Sequence, residues 1–248
     1  MNDYQSISER IRDAHASRTP LTIHGGGSKY FYGRATQGEE LGVNDYRGIL
    51  DYTPSELVIS ARAGTSLAEL EASLAQQGQM LPFEPPHFGE HATLGGTIAC
   101  GLSGPRRPWA GAARDFVLGI NCINGKGEYL RFGGQVMKNV AGYDLSRTLT
   151  GSLGTLALLL DIHLKVLPRP ETSTTLQQAC SATEALQRLN HWAGKPFPLA
   201  GGCYLDGILY VRLSGTGRGV KAAADTLGGE VLAAGETFWE DLREQRLD

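Results

Sequence analysis

The sequence predicts a mixed helix-and-sheet protein, α+β or α/β, built in two parts, and three observations predict it. Short apolar strands alternate with amphipathic helices along the whole chain. A turn signal, Asn124-Gly125-Lys126-Gly127, sits between the apolar runs 117–123 and 128–132, marking an antiparallel hairpin of type I′. A proline pair, Pro168-Arg169-Pro170, ends the longest predicted strand and marks a boundary. The expected parts are residues 1–171 and 172–248, the second incomplete because its last helix is not followed by a closing element.

Residues 4–17 read as a polar helix, and Leu21-Thr22-Ile23 as a short strand that runs directly into the glycine run His24-Gly25-Gly26-Gly27-Ser28-Lys29. Leu57 to Arg62 is a second strand. A helix follows, with Ser66 and Glu69 as a capping box, Leu67, Leu70 and Leu74 as its apolar face, and Gly78 as its stop. The stretch from Leu81 to Gly111 is rich in Pro, Gly and small residues and reads as a loop that wraps a ligand. A short helix around Tyr143 to Leu149 leads through Gly151-Ser152-Leu153-Gly154-Thr155 into the long strand. Beyond residue 171 the pattern is strand (172–178), helix (182–193), two strands joined through Asp206-Gly207, helix (216–227) and strand (229–233), a split βαββαβ unit.

Composition narrows the function. With 248 residues, 41% of them apolar and 20% charged, the chain can bury a large core, and a net charge of −3 offers no basic footprint for nucleic acid or an anionic membrane surface. The start, MNDYQSISERIRDAHAS, lacks the apolar stretch of a signal peptide, and the run Leu156 to Leu160 stops at Asp161. A cytoplasmic location follows as the expectation, peripheral to the inner membrane at most through a complex. Cys100, Cys122, Cys180 and Cys203 form no CxxC pair, so no metal site is expected.

Glycine carries the strongest signal. Its 33 copies are about 13% of the chain, nearly twice ordinary usage. Most of them lie between Gly25 and Gly154, where backbone without side chains can approach a large ligand closely. A dinucleotide's pyrophosphate is best met by a concave row of backbone N–H groups. Two segments offer one: Gly25, Gly26 and Gly27 with the Ser28 hydroxyl and the Lys29 charge, and Ala92-Thr93-Leu94-Gly95-Gly96-Thr97-Ile98-Ala99. A nicotinamide fingerprint would need a third glycine at position 30, which is Tyr30. A P-loop would need Ser or Thr after Gly125-Lys126, where Gly127 stands.

Four motifs in order, HGGGSK at 24–29, PPHFGEHATLGGTIA at 85–99, RDFVLGI at 114–120 and KNVAGYDLSRTLTGSLGT at 138–155, resemble the vanillyl-alcohol-oxidase or PCMH-type FAD-binding family, with LPRP closing the domain. Within that family GLSGPRRPWAGAARDFVLG at 101–119 and FWEDLREQ in the tail are most similar to the glycolate oxidase group. The resemblance implies an α+β, two-subdomain FAD domain followed by a partial ferredoxin-like cap. It implies non-covalent FAD, held by Gly25, Gly26, Gly27, Ser28 and Lys29 from one side and Thr93, Leu94, Gly95, Gly96 and Thr97 from the other. Pro86, Gly142, Gly151, Ser152 and Gly154 would lie along the ribityl chain and ring, and the backbone of Leu159 would meet the adenine. It further implies oxidation of glycolate to glyoxylate by hydride transfer to the flavin, inside a hetero-oligomer with a second FAD subunit and an iron–sulfur subunit. Two alternatives stand beside it: an electron-relay or assembly subunit whose substrate site lies on a partner, and a stand-alone oxidase of another 2-hydroxy acid or sugar.

Other residues invite roles. Lys138, Asn139, Tyr143 and Asp144 would suit a site beside the flavin, or turn and cap chemistry. Arg106, Arg107 and Arg114 would match a carboxylate substrate, a partner or open surface. His87 and His91 flank the second glycine segment, and either would suit a general base if a third group oriented it.

Overall fold

A computed structural model describes residues 4–134 and 144–247. The chain divides into two compact units: Met1–Leu102 with Ala112–Pro168, and Ser103–Gly111 with Arg169–Asp248. The first part is therefore not one continuous span to residue 171, because the segment Ser103–Gly111 leaves it for the second unit.

In the first unit α1 (Gln5–Ser17) buries Ser8, Ile11 and Ala14, the positions that a period of 3.6 brings to one side. Strand β1 (Leu21–His24) pairs in parallel with β2 (Glu39–Gly42). Strands β3 (Ile49–Thr53) and β4 (Val58–Arg62) precede α2 (Leu67–Gln76) and the two-residue β5 (Gln79–Met80). Ser66 caps α2 by accepting the N–H of Glu69. The expected loop 81–111 contains two short helices instead, α3 (Leu94–Cys100) and α4 (Arg107–Ala110). Then come β6 (Val117–Asn124), β7 (Tyr129–Gly133), α5 (Leu145–Leu149), β8 (Ala157–Lys165) and β9 (Leu167–Pro168), which pairs with β5.

Five strands form one antiparallel sheet in the order β3-β4-β8-β6-β7. Strand β8 lies at its centre. Leu160, Ile162 and Leu164 on β8 are fully buried, as are Ile120 on β6, Leu67, Leu70 and Leu74 on α2, and Leu94 and Ile98 on α3. The alternation of a strand turns Asp161 and His163 to the opposite face. There the two oxygens of Asp161 accept from the Tyr46 hydroxyl and the Asn121 amide, each at 2.8 Å. His163 Nδ1 lies 2.7 Å from Ser60 Oγ on the neighbouring strand.

The hairpin β6–β7 turns where expected but not as type I′. Only Gly127 of its turn has positive φ, at 74°, and the Asn124 side chain accepts from the N–H groups of Lys126 and Glu128. The carbonyl of Gly127 accepts the Ser8 hydroxyl at 2.6 Å, and a Cβ there would sit 2.7 Å from the Ser8 carbonyl. Close docking of α1 thus sets the turn.

The second unit is a βαββαβ fold: β10 (Thr172–Ala179), α6 (Ala182–Ala193), β11 (Leu199–Leu205), β12 (Ile208–Gly215), α7 (Gly217–Leu227) and the short β13 (Glu230–Val231). Its antiparallel sheet runs β11-β12-β10-β13, the ferredoxin-like order. Leu176, Leu209, Val211 and Leu213 form one face of its core, with Ala185 of α6 and Val220 of α7. A last helix, α8 (Gly235–Arg243), sends Trp239 onto the sheet. The indole N–H donates to Thr175 Oγ1 at 2.8 Å, and the Arg212 guanidinium lies 4.9 Å from the indole ring centre. Among the described residues no helix is long and apolar enough to cross a membrane.

Two outcomes follow. Burial holds His163 below the usual imidazole range, against the pull of Asp161. A group neutral in the fold and protonated in the unfolded chain contributes stability that is present above its unfolded value, about pH 6.5, and is lost as pH falls through it. The urea midpoint is expected to fall between about pH 7.5 and about pH 5.5, and to fall less in His163→Asn. Trp239→Ala removes the ring between α8 and the sheet and is expected to cost about 3–5 kcal/mol in equilibrium unfolding of the second unit.

Candidate functional site

The two glycine segments meet. Strand β1 delivers the first, and its carbonyls anchor it: Val43 N–H donates to His24 O, Tyr30 N–H to Gly27 O and Tyr32 N–H to Lys29 O. Among the described residues the N–H groups of Gly25, Gly26, Gly27 and Ser28 have no backbone acceptor. A Cβ on Gly26 would fall 1.4 Å from the carbonyl oxygen of His91, and one on Gly25 2.5 Å from Thr93 Oγ1. Any side chain at Gly26 would therefore pry the two segments apart.

The second segment is not a loop throughout. Thr93 caps α3 by accepting the Gly96 N–H at 3.2 Å, and Leu94, Gly95, Gly96 and Thr97 form the helix's first residues. Leu94 donates its N–H to Thr65 O at 2.9 Å and Gly95 to Ala63 O at 2.7 Å, so both N–H groups are committed to the turn that follows β4. Gly95 is glycine because a Cβ would lie 2.7 Å from Ala63 Cβ. Leu94 is core.

A third segment docks on the same helix. Gly151 N–H donates to Ile98 O at 3.0 Å and Leu153 N–H to Ala99 O at 2.8 Å, which brings Gly151, Ser152 and Gly154 beside α3. Two buried hydroxyl oxygens, Thr97 Oγ1 and Ser152 Oγ, have no hydrogen-bond partner among the described residues. Buried polar groups are ordinarily satisfied, so an orphaned pair around one helix marks where a polar ligand completes the structure. Beside β1 and the start of β8 lies a cavity of about 600 Å³, lined by Ile11, Ala14, Pro20, Ile23, Gly154 and Leu158 among others. Its walls are mixed, with His15, Arg18, Thr19 and Asn124 beside the apolar residues. Leu159 is buried in β8 and does not line it.

Charge enters through one buried lysine. Lys29 donates to Ser28 Oγ at 3.2 Å and to the His87 carbonyl at 3.1 Å, and its ammonium lies 5.7 Å from the Phe88 ring centre. It also reaches the end of α3: burial pushes the Cys100 thiol up and Lys29 draws it partly back. His87 has an orienting partner that sequence reasoning missed, since its Nε2–H donates to Glu71 on α2 at 3.0 Å. Pro86 is buried beside it, whereas His91 is exposed and contributes its carbonyl. His24 Nε2 lies 3.6 Å from Glu40 on β2.

The remaining expectations scatter. Asp144 caps α5 by accepting the Arg147 N–H. Lys138, Asn139, Gly142 and Tyr143 lie outside the described residues. Arg106 and Arg107 belong to the second unit with Trp109, whose ring lies 3.1 Å from where a Cβ on Gly202 would be, and Arg114 is exposed in the first. Among the described residues no cluster of His, Cys, Asp or Glu could hold a metal.

Residues 1–133 match the family model described as FAD binding domain. The chain belongs to the FAD binding domain family. Its glycine segments and orphaned hydroxyls fit that cofactor's diphosphate: among the described residues the N–H groups of Gly25 to Ser28 have no backbone acceptor, and two buried hydroxyls have no partner. Another member, the glycolate oxidase subunit GlcE of Escherichia coli K12, is 53% identical over 246 residues, 99% of this chain and 70% of that protein. The glycolate oxidase subunit GlcD of Bacillus subtilis is 30% identical over 172 residues, 68% of this chain, and this chain spans only 36% of its length. The solved structure of an alkyldihydroxyacetonephosphate synthase superposes with a TM-score of 0.74 at 18% identity, covering 99% of this chain and 54% of that one, and shows the shared fold.

For this cofactor-binding family member, Gly26→Ala is expected to destabilise by about 2 kcal/mol and to abolish FAD uptake. Gly194→Ala in the second unit, where a Cβ meets only the His191 carbonyl at 3.7 Å, should leave both unchanged. Denaturant midpoints and flavin-fluorescence titration check the pair.

Proposed function

We propose that this chain is the FAD-carrying subunit of a complex that oxidises glycolate to glyoxylate. The observation that carries the reading is the 53% identity to a glycolate oxidase subunit across 99% of the chain, together with the diphosphate cradle in the structure. Bound there, FAD supplies a two-electron acceptor for the hydride of the hydroxyl-bearing carbon.

The chain's own residues bind and orient. The N–H groups of Gly25, Gly26, Gly27 and Ser28 hold the diphosphate, with the Thr97 and Ser152 hydroxyls as added donors, while the N–H groups of Gly96 and Thr97 stay committed to Thr93 in the first turn of α3. Thr93 shapes that turn, and Leu94 and Gly95 fix it to the sheet. Gly151 and Gly154 take the positive φ, 84° and 73°, that the third segment's turn requires, Pro86 walls the site, and the cavity bordered by Leu158 accepts the adenosine end. FAD is held non-covalently. The partners are a second FAD subunit, of which the Bacillus subtilis GlcD is a relative, and an iron–sulfur subunit as the resemblance implies. The site of action is the cytoplasmic face of the inner membrane or the cytoplasm itself.

Spectra of the purified chain with FAD, taken before and after anaerobic glycolate, alone and with its partner subunits, test the reading. Flavin bands should be retained by the chain and bleach with glycolate in the complex. A chain that retains no flavin, or a complex whose bands persist with glycolate, contradicts it.

A further inference from the structure

The FAD reading leaves Lys29 looking like a simple counter-charge for phosphate, and the geometry points elsewhere. The side chain is buried, 9% exposed, and two of its three N–H bonds go to uncharged oxygens, Ser28 Oγ and the carbonyl of His87. That carbonyl belongs to a residue fixed at its other end, because the His87 ring donates to Glu71 on α2. The backbone around it needs fixing: Glu84, Phe88 and Gly89 all have positive φ, at 44°, 52° and 117°, so this turn has no repeating hydrogen-bond ladder to hold it.

Helix α2 grips the same segment twice. Glu71 holds His87, and one turn earlier Leu67 N–H donates to Ala92 O at 2.8 Å. Between these grips the chain passes His91, whose carbonyl packs against Gly26. The path Glu71–His87–Lys29 therefore closes a frame from α2 across the 84–91 segment to the first glycine loop.

We propose that Lys29 is a positioning residue: with His87 and Glu71 it forms a strut that sets the spacing of the two glycine segments before FAD arrives. Glycine-rich backbone loses more conformational freedom on ordering than any other, so a site made of it binds tightly only when something else has already ordered it. A buried lysine suits this role because its ammonium reaches a main-chain carbonyl while lying 5.7 Å from the Phe88 ring centre. The proposal rests on the reading of these segments as the FAD diphosphate site.

Flavin-fluorescence titration of the full chain with FAD, at low and high salt, tests it on wild type, Lys29→Met, Glu71→Ala and the double variant. Glu71 sits on α2 and bonds to the His87 ring, and alanine preserves the helix, so this variant reports on the strut even if Lys29→Met folds poorly. The strut predicts that each single variant weakens FAD by about tenfold, that the double variant is no weaker than the worse single, and that Lys29→Met keeps the wild-type salt dependence. Wild-type affinity in Glu71→Ala, losses that multiply in the double variant, or a flattened salt dependence in Lys29→Met would each overturn the strut and make Lys29 a direct phosphate partner. Wild type that takes up no FAD would instead overturn the reading of the site itself, and the strut with it.

Discussion

A single main-chain contact, Gly26 against the carbonyl of His91, sets the geometry of the site. Two segments 65 positions apart in the chain can lie side by side there only because Gly26 carries no side chain into the gap. Everything around the contact keeps it closed. Strand β1 brings the first segment in, α2 holds the second through Leu67 and Glu71, and the turn after β4 takes up the N–H groups of Leu94 and Gly95. Among the described residues the N–H groups of Gly25, Gly26, Gly27 and Ser28 are left without backbone acceptors, and such a row of donors suits an anion.

The central sheet supplies the rigidity. Its inner face is a packed apolar layer under α2 and α3, and its other face carries the Asp161 cluster, in which Tyr46 is held at both ends. The Tyr46 hydroxyl donates to Asp161 while its carbonyl accepts the N–H of Gly64, in the same turn that anchors α3. Burial raises the Tyr46 hydroxyl well above its ordinary range and Asp161 raises it further, so it stays protonated and keeps donating. The polar cluster thereby ties the sheet to the helix that receives the third glycine segment.

Local signals made much of this legible in the sequence. Ser66 three residues before Glu69 announced α2, the Asn124 to Gly127 run announced the β6–β7 hairpin, and alternating patterns beyond Pro170 announced the βαββαβ unit. Helix α3 was hidden, because Gly95 and Gly96 are poor helix formers and the requirement for Gly95 comes from Ala63, more than thirty positions away. Strand β2 was hidden as well: Glu-Glu-Leu-Gly has no strand character, and its pairing with β1 is a tertiary fact. Trp109 gave no hint that its partner was Gly202. In the site, the glycines and Ser28 were readable as a cradle, whereas the His87–Glu71 pair was not, since no spacing rule joins a turn residue to a helix 16 positions earlier.

Hydrogen–deuterium exchange of the chain with and without FAD addresses the shared cradle most directly. If the two glycine segments form one diphosphate site, amides in residues 24–30 and 91–99 slow together when FAD binds. Protection confined to one segment, or absent from both while flavin is held, would contradict it.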